Sequence, residues 1–487
     1  MRQARRYHPF RMLFGLIHLL RNTAFLALFL FVMKADSQSF LIVWGRKLFL
    51  PFIALSVISI FLRWLSEKYD AADGHFHVYK GVFISSRQTV PFSKIQNISR
   101  HTSIVHRILG VTSLTFETGM DGENSQIKFT VVTHGEADKL EGALREGMPE
   151  DFRGEDETDG RTIHFTPERK NIIKAAISSL SFLVLISFGI SVYTKASDIW
   201  DVKEGALSFL QGFLDSWPIW LAGLTVVILL SVLFGFLWTY LKYGKYEISS
   251  DQERIYIRKG LLEETSFTIS KERVQAIDIR QNLMKRLTGV AAVTLSTVGD
   301  TEAGEEKDGA NSLFPYLPVN LACKIAEEIL PDYTISQNMI PLPRKALWAS
   351  LLTPSWIWMM ASAPLFYFKP EILGFEKTWI ILTVILFILV VMGRVSAFFN
   401  ARYLIHGEFI QFRTGILGTR VFISKRSKII QAEITATRWQ KAFGLASIQT
   451  VNRGKPVQHS GIKNIPTQTA NSFYSWYKRR NNQIKTR

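Results

Sequence analysis

Six basic residues recur at fixed distances from a pair of glycines in three separate parts of the chain. They are Lys94, Arg107, Arg273, Arg286, Lys428 and Lys441. A lysine or arginine beside an anionic membrane gains about 1 kcal/mol from the lipid headgroups, and copies on one chain add as a multivalent contact. We therefore predict lipid or partner binding at these positions. The alternative is structural: the first member of each pair ties turns together, and the second caps a helical turn before a glycine.

The basic positions lie at fixed sequence offsets from two glycines in each repeat. Gly81, Gly260 and Gly415 are each followed 29 residues later by a second glycine, at Gly110, Gly289 and Gly444. One basic residue lies three positions before each second glycine, and another lies sixteen before it. Agreement at fixed offsets in three places indicates an internal repeat. We predict that all six glycines are turn residues, chosen for their backbone freedom.

The elements around each glycine pair read as strands, turns and a final helix. A period-2 strand such as His75-Phe-His-Val-Tyr-Lys precedes the first glycine, and another such as Val111-Thr-Ser-Leu follows the second. A helix pattern ends each repeat, with Val319, Ala322, Cys323 and Ala326 on one face in the second. About seven short strands and one helix predict a small, bent sheet or partly open barrel closed by the helix.

Apolar segments come in pairs, and each pair precedes one repeat. Their approximate limits are 12–33, 48–65, 172–193, 217–240, 347–368 and 379–399. Each is near the roughly 20 residues that a helix needs to cross the hydrocarbon layer. Basic residues flank the outer ends of the pairs, although Arg46 and Lys47 depart from this pattern. The charge distribution therefore predicts a multi-pass protein of the cell membrane with cytoplasmic termini and repeats. His18 and Arg21 interrupt the first segment. A charge inside a span would indicate a functional site, but we favour the alternative that Phe10 to Leu20 is an amphipathic helix at the inner surface.

These patterns divide the chain into eight parts. The predicted parts are an amphipathic start with transmembrane hairpin 1 (1–68), repeat domain 1 (69–148), a charged linker (149–170), hairpin 2 (171–242), repeat domain 2 (243–333), hairpin 3 (334–400), repeat domain 3 (401–480) and a basic tail (481–487). The predicted fold class is accordingly an α+β membrane protein with six transmembrane helices in three hairpins.

Composition restricts the function classes. The net charge of +17 in 487 residues suits nucleic acid or an anionic membrane, and the apolar blocks favour the membrane, so no nucleic-acid partner is expected. Cys323 is the one cysteine, which excludes an intramolecular disulfide and a cysteine zinc site. His75 and His77 share a strand face without a clear third ligand, so no metal is expected. No nucleotide, metalloprotease or hydrolase motif is present, and we expect neither an enzyme nor a cofactor.

A family resemblance rests on the motifs Asp73-Gly74, Val90-Pro-Phe-Ser-Lys-Ile-Gln-Asn97 and Arg107-Ile-Leu-Gly-Val111 after paired spans. The second copy matches through Arg273-Val-Gln and Lys285-Arg-Leu-Thr-Gly289, and the third, weaker copy has Lys428-Ile-Ile-Gln. With them the chain resembles bacterial pleckstrin-homology-like domain membrane proteins of the YdbT type, over nearly its whole length. The resemblance implies a pleckstrin-homology-like β-barrel or sandwich in each repeat, and no defined activity.

Two functions stay open at this point. The first is a membrane scaffold or regulatory protein whose three cytoplasmic domains bind lipid headgroups or partner proteins, including another membrane protein of the same family. The alternative is a transport or export component that moves an amphipathic peptide or lipid. A central polar cavity among the spans would favour transport, and a solid bundle would favour the scaffold.

Overall fold

The computed structural model describes residues 4–34, 37–82, 84–118, 126–146, 161–179, 217–297, 312–370, 377–454 and 457–479. The chain forms two compact units. Unit 1 contains residues 1–162 and 258–270, and unit 2 contains residues 163–257 and 271–487. The short segment 258–270, which belongs to the second repeat in the sequence, therefore folds with the first.

A helical hairpin begins unit 1. Helix α1 (Phe10–Leu28) continues into a π-helical turn (Phe29–Met33), and α2 spans Phe40–Ser66. Helix α1 runs unbroken past Leu20, so the predicted amphipathic start and the first apolar segment form one helix. Arg46, which departs from the charge pattern, has a structural role near the short connection. Its guanidinium donates hydrogen bonds to the carbonyl oxygens of Leu30 and Lys34, which the end of the first helix leaves unpaired.

Unit 1 also contains two antiparallel sheets, and the first strand of one of them precedes α1. Strands β1 (Arg5–Arg6), β2 (Lys68–Ala72), β3 (His75–Lys80) and β4 (Ser86–Pro91) form one sheet in that order. The second contains β5 (Ile95–Thr102), β6 (Val111–Thr118) and β7 (Gln126–Thr133). A one-turn helix α3 (Ile104–Ile108) precedes β6, and α4 (His134–Glu146) closes the domain. Alternating apolar residues of both sheets, among them Phe76, Phe116 and Phe129, form the core.

The second repeat has the same order of elements. Its strands are β8 (Thr162–Phe165), β9 (Glu247–Ser250), β10 (Arg254–Lys259), β11 (Glu264–Ser270), β12 (Val274–Gln281), β13 (Val290–Thr297) and β14 (Ser312–Pro318). Its helices are α5 (Arg169–Ser179), α6 (Trp217–Tyr243), the one-turn α7 (Leu283–Leu287) and the closing α8 (Val319–Ile329). Six of these strands follow α6, where the sequence predicted about seven, and the closing helix lies where it was predicted.

The third repeat completes unit 2. Its strands are β15 (Ile340–Pro341), β16 (Arg402–His406), β17 (Phe409–Thr414), β18 (Thr419–Lys425), β19 (Ile429–Thr435), β20 (Leu445–Asn452) and β21 (Gln458–Pro466). Its helices are α9 (Lys345–Leu352), α10 (Trp356–Phe368), α11 (Thr378–Asn400), the one-turn α12 (Arg438–Ala442) and the closing α13 (Thr467–Lys478). One seven-stranded sheet runs β14-β13-β12-β18-β17-β16-β15, and β19-β20-β21 form a separate sheet.

Three helices in the described part of the chain, rather than the six predicted, are long and apolar enough to cross a membrane: Phe10–Met33, Phe40–Ser66 and Thr378–Asn400. The prediction of one helix at 347–368 is wrong. Helix α9 ends at Leu352 and α10 begins at Trp356, because Pro354 lacks an amide donor and disfavours helix at the preceding residue. The fourth segment is helical as α6, of which Leu229–Tyr243 is apolar.

Several predicted parts lie outside the described residues. They are most of the third apolar segment, beyond residue 179, residues 149–160 of the charged linker, and the basic tail. The remaining linker residues contain strand β8 and the start of α5.

Candidate functional site

One strand pairing occurs twice between consecutive repeats. In unit 1, β11 lies antiparallel to β5, with Phe267 opposite Ser99. In unit 2, β18 lies antiparallel to β12, with Phe422 opposite Asp278. Counted from the repeat glycines, both registers are the same: the residue seven after a first glycine faces the residue eleven before the preceding repeat's second glycine. The fourth strand of one repeat therefore extends the second sheet of the repeat before it.

Arg107 and Arg286 stand at these two junctions. Arg107 Nη1 donates a hydrogen bond to the carbonyl oxygen of Leu261 at 2.9 Å, and Arg286 Nη1 donates to that of Leu417 at 3.4 Å. Both acceptors lie in the turn after a first glycine. That turn requires glycine: a Cβ on Gly260, where φ is +97°, would lie 1.9 Å from the carbonyl oxygen of Glu263.

The start of each one-turn helix that carries these arginines is fixed by the residue that precedes it. Ser103 accepts a hydrogen bond from the amide of His106, and Asn282 accepts one from the amide of Lys285. Thr437 forms a full capping box with Gln440 at the start of α12. The cap sets where the basic residue of each one-turn helix lies, including Lys441 of α12.

Each one-turn helix also packs beside the first helix of its own hairpin. The rings of His106 and Phe14 lie 4.0 Å apart between α3 and α1. Thr288, directly after α7, shares a 2.6 Å hydrogen bond with Ser178 of α5. Helix α12 packs against α9. The basic residues of these helices therefore lie beside the outer ends of the hairpins, where a span would leave the membrane.

The turn after Gly415 is held at the end of a span as well. Ser396 Oγ donates to the carbonyl oxygen of Ile416 at 2.5 Å, and Asn400 Nδ2 donates to the same oxygen at 2.9 Å. Both donors belong to the last turns of α11. Since Arg286 binds Leu417 in this turn, its guanidinium is placed next to the end of a helix that can cross a membrane.

Large apolar side chains are exposed beside the basic residues on the one-turn helices. Ile108 is 79% exposed, Leu287 73% and Trp439 49%. We define three membrane-proximal patches: patch 1 (Ile104, Arg107, Ile108), patch 2 (Leu283, Arg286, Leu287) and patch 3 (Arg438, Trp439, Lys441). A cation next to an exposed apolar side chain matches the boundary between headgroups and acyl chains. The apolar members were not predicted from the sequence, although each lies within three residues of a basic position that was.

The other three basic candidates lie elsewhere, each as the last residue of a 3₁₀ turn: Phe92–Lys94, Lys271–Arg273 and Arg426–Lys428. Lys428 Nζ donates to the carbonyl oxygen of Glu272 at 2.7 Å. Burial lowers the pKa of Lys428 and the pKa of Arg273, whereas Lys94 is exposed. The structure does not bring these three residues into the patches. Their binding of lipid or partner stays a prediction, as it does for the patch cations.

The remaining candidates have local roles. All six repeat glycines have positive φ. Burial raises the pKa of the Cys323 thiol, which disfavours the nucleophilic thiolate. The stacked rings of His75 and His77 lie 6.0 Å apart and bond to Asp73 and Thr89. No group of three metal-ligating side chains is found among the residues that the structure describes.

Three consecutive two-sheet β-domains, each closed by a helix and preceded by apolar helices, define a membrane protein built from pleckstrin-homology-like repeats. The chain belongs to the Bacterial PH domain family, whose model matches residues 23–148, 206–332 and 360–481. It is 22% identical over 498 residues to the UPF0699 transmembrane protein YdbT of Bacillus subtilis (strain 168), with 98% of each chain covered. No solved structure matches. The family resemblance drawn from the motifs is thereby confirmed.

Proposed function

We propose that this protein is a scaffold or regulatory protein of the cell membrane whose three domains bind anionic lipid headgroups through the membrane-proximal patches. The proposal places the chain in the membrane as a multi-pass protein with both termini and all three domains in the cytoplasm. It assigns no catalytic step and no nucleic-acid partner to the chain. The observation that carries it is the exposure of Ile108, Leu287 and Trp439 next to cations at the hairpin ends.

Energetics support a contact of this kind. Each cation near an anionic surface contributes about 1 kcal/mol, and full burial of an isoleucine or leucine side chain contributes about 1.5–3 kcal/mol. One patch alone would bind weakly and reversibly. Three patches on domains already tethered at the same surface act at high effective concentration, so that the arrangement of the domains follows the lipid composition beneath them.

Charge at the hairpin ends supports the orientation. Arg63 lies in the last turn of α2 and Lys242 in the last turn of α6, and a repeat domain begins within a few residues of each. Arg394 of α11 donates hydrogen bonds to the carbonyl oxygens of Ser350, Leu351 and Thr353, where α9 ends. Basic residues at the end of a span mark the cytoplasmic side.

Lipid retention by the full-length protein tests the proposal. The protein is extracted in mild detergent, and bound lipids are measured by native mass spectrometry in the wild type and in the triple variant Arg107→Gln, Arg286→Gln, Lys441→Gln. The matched control is Lys139→Gln, Lys324→Gln, Lys463→Gln, which removes the same charge from exposed positions outside the patches. We expect the patch variant to lose anionic phospholipid and the control to retain it. Equal retention in all three proteins would contradict headgroup binding at the patches.

A further inference from the structure

In the described part of the chain, one strand edge of the first repeat and one of the third repeat have no partner strand, although the equivalent edges are paired at the two junctions between repeats. Strand β19 of the third repeat occupies the position of β5 and β12, which receive a strand from the following repeat. Strand β4 of the first repeat occupies the position of β11 and β18, which supply that strand. Both β4 and β19 are terminal strands of their sheets in the described part of the chain. Among the described residues, the third repeat thus presents an acceptor edge without a donor strand, and the first repeat presents a donor strand without an acceptor edge.

Burial changes at these two edges as expected for a missing partner. Asp278 and Ala276 of β12 are 1% and 0% exposed, and Ala276 belongs to the core of the third repeat. Their counterparts on β19, Glu433 and Gln431, are exposed.

The donor edge shows the same contrast. On β18, Phe422 and Ile423 are buried, whereas on β4 the counterpart of Ile423, Thr89, is exposed and that of Phe422, Gln88, is partly exposed. Open edges of this kind pair readily with another chain unless they are covered.

We propose that β19 of one copy of this chain binds β4 of a second copy, as a third use of the junction that joins its own repeats. The register follows from the two existing junctions: Glu433 would face Gln88, and Thr435 would face Ser86. Strand addition of this type gains main-chain hydrogen bonds and takes its specificity from alternate side chains. Because donor and acceptor edges differ, the contact is head-to-tail and produces closed rings or open rows of molecules in the membrane.

Side chains at the two edges are complementary. Lys80 Nζ donates to Gln88 Oε1 at 3.4 Å, while Gln88 Nε2 has no partner among the described residues. Gln88 Nε2 is buried, so the amide is not accessible as it stands. In the proposed register the Glu433 carboxylate faces Gln88 on the side that also carries the exposed Lys80, so it can pair with the Lys80 ammonium group. Opposite charges across strands favour such a pair.

Neighbouring groups are consistent with an open acceptor edge. Tyr477 Oη donates to the carbonyl oxygen of Ile430, which lies before the stretch that corresponds to the paired residues of β5. Lys441 stands where Arg107 and Arg286 bind the turn of the next repeat. In a second copy it would reach the turn after Gly81, where Val82 is exposed, as is its counterpart Ile416 at the internal junction.

Disulfide cross-linking in native membranes tests the proposed register. Two differently tagged full-length chains are co-expressed, one with Gln88→Cys and one with Glu433→Cys, both with Cys323→Ser. We expect oxidation to join the two tags in one dimer band. The control replaces Gln88→Cys by Arg87→Cys, whose side chain points to the other face of β4, and we expect loss of that band. A band of equal intensity in the control, no band, or a cross-link to a different protein would overturn the proposal.

A charge-reversal pair provides a second readout that does not need a cysteine. Glu433→Lys places like charges at the junction, and we expect single copies in mass photometry of the protein in nanodiscs. Lys80→Glu in the same chain restores opposite charges, so we expect assemblies to return.

A further cysteine variant carries both Gln88→Cys and Glu433→Cys in one chain. A disulfide formed only within this chain, seen as a mobility shift without a mass increase, would show intramolecular closure and exclude the second copy.

Discussion

Arg286 donates a hydrogen bond to the carbonyl oxygen of Leu417, in the turn that follows the first glycine of the next repeat. The same turn accepts hydrogen bonds from Ser396 and Asn400 at the end of α11. One guanidinium therefore lies where a repeat junction meets the end of a span. Arg107 repeats the first half of this arrangement in unit 1 through Leu261. The internal repeat of the sequence thus corresponds to a repeated junction as well as to a repeated domain.

Removal of the charge on Asp278 should destabilise the junction in unit 2. The Asp278 carboxylate is 1% exposed and accepts hydrogen bonds from Arg280 and Arg420, with Arg420 Nε at 2.9 Å. We expect Asp278→Asn to lose about 1.5–3 kcal/mol, the usual value of hydrogen bonds to a charged group. Thermal unfolding of the full chain in detergent should show a lower midpoint.

The control for this prediction is Asp332→Asn. Asp332 pairs with Lys425 at 2.9 Å, but its side chain is 82% exposed. An exposed ion pair contributes about 0–1 kcal/mol, so this variant should melt close to the wild type. Equal loss in both variants would remove the special role of Asp278.

Acidification should weaken unit 1 through His106. Burial lowers the pKa of His106, with further lowering by His101 and Lys128 and an opposing hydrogen bond to Thr130. The unfolded chain, with a histidine pKa near 6.5, then binds more protons than the folded one. The contribution of the neutral His106 to the stability of unit 1 is therefore fully present above about pH 6.5 and is lost as the pH falls through the lowered pKa of the folded state.

Hydrogen exchange of peptides from β6 and β7 can measure this effect. After correction for the intrinsic rate, the wild type should exchange faster at acidic pH, and His106→Gln should show a smaller increase. Histidines other than His101, whose charge acts on His106, contribute equally in both proteins. An identical pH dependence in the variant would assign the effect to another group.

A side chain in place of Gly260 should destabilise the fold, whereas a side chain in place of Gly142 should not. The Cβ of Gly260→Ala would lie 1.9 Å from the Glu263 carbonyl oxygen at a positive φ, whereas nothing lies within 4 Å of the same atom at Gly142. We expect Gly260→Ala to cost about 1–3 kcal/mol. Gly142→Ala in helix α4 should be neutral or stabilise by up to about 1 kcal/mol. Both are measured by thermal unfolding, and a stable Gly260→Ala would show that the turn can rearrange.

The internal repeat and its turns could be predicted from the sequence, because glycine spacing and period-2 strands are local signals. It could not find the pairing of β11 with β5. The strands β4, β11 and β18 occupy the same place in the pattern, and which edge a strand joins depends on long-range geometry that no local pattern carries. Patch residues such as Leu287 were missed for a related reason, since exposure is a property of the folded chain. The break before Trp356 was visible in Pro354 but was outweighed by hydropathy.

Depth measurement at the three patches tests the central claim most directly. A single cysteine at Ile108→Cys, Leu287→Cys or Trp439→Cys, in a Cys323→Ser background, is labelled with an environment-sensitive fluorophore in nanodiscs of phosphatidylglycerol or phosphatidylcholine. Gln252→Cys, exposed at the far end of β9 from α6, serves as the control. We predict quenching by spin-labelled lipid at all three patch sites, strongest with phosphatidylglycerol, and none at the control. Quenching at no patch site, or equal quenching at Gln252→Cys, would contradict a lipid-facing role for the patches.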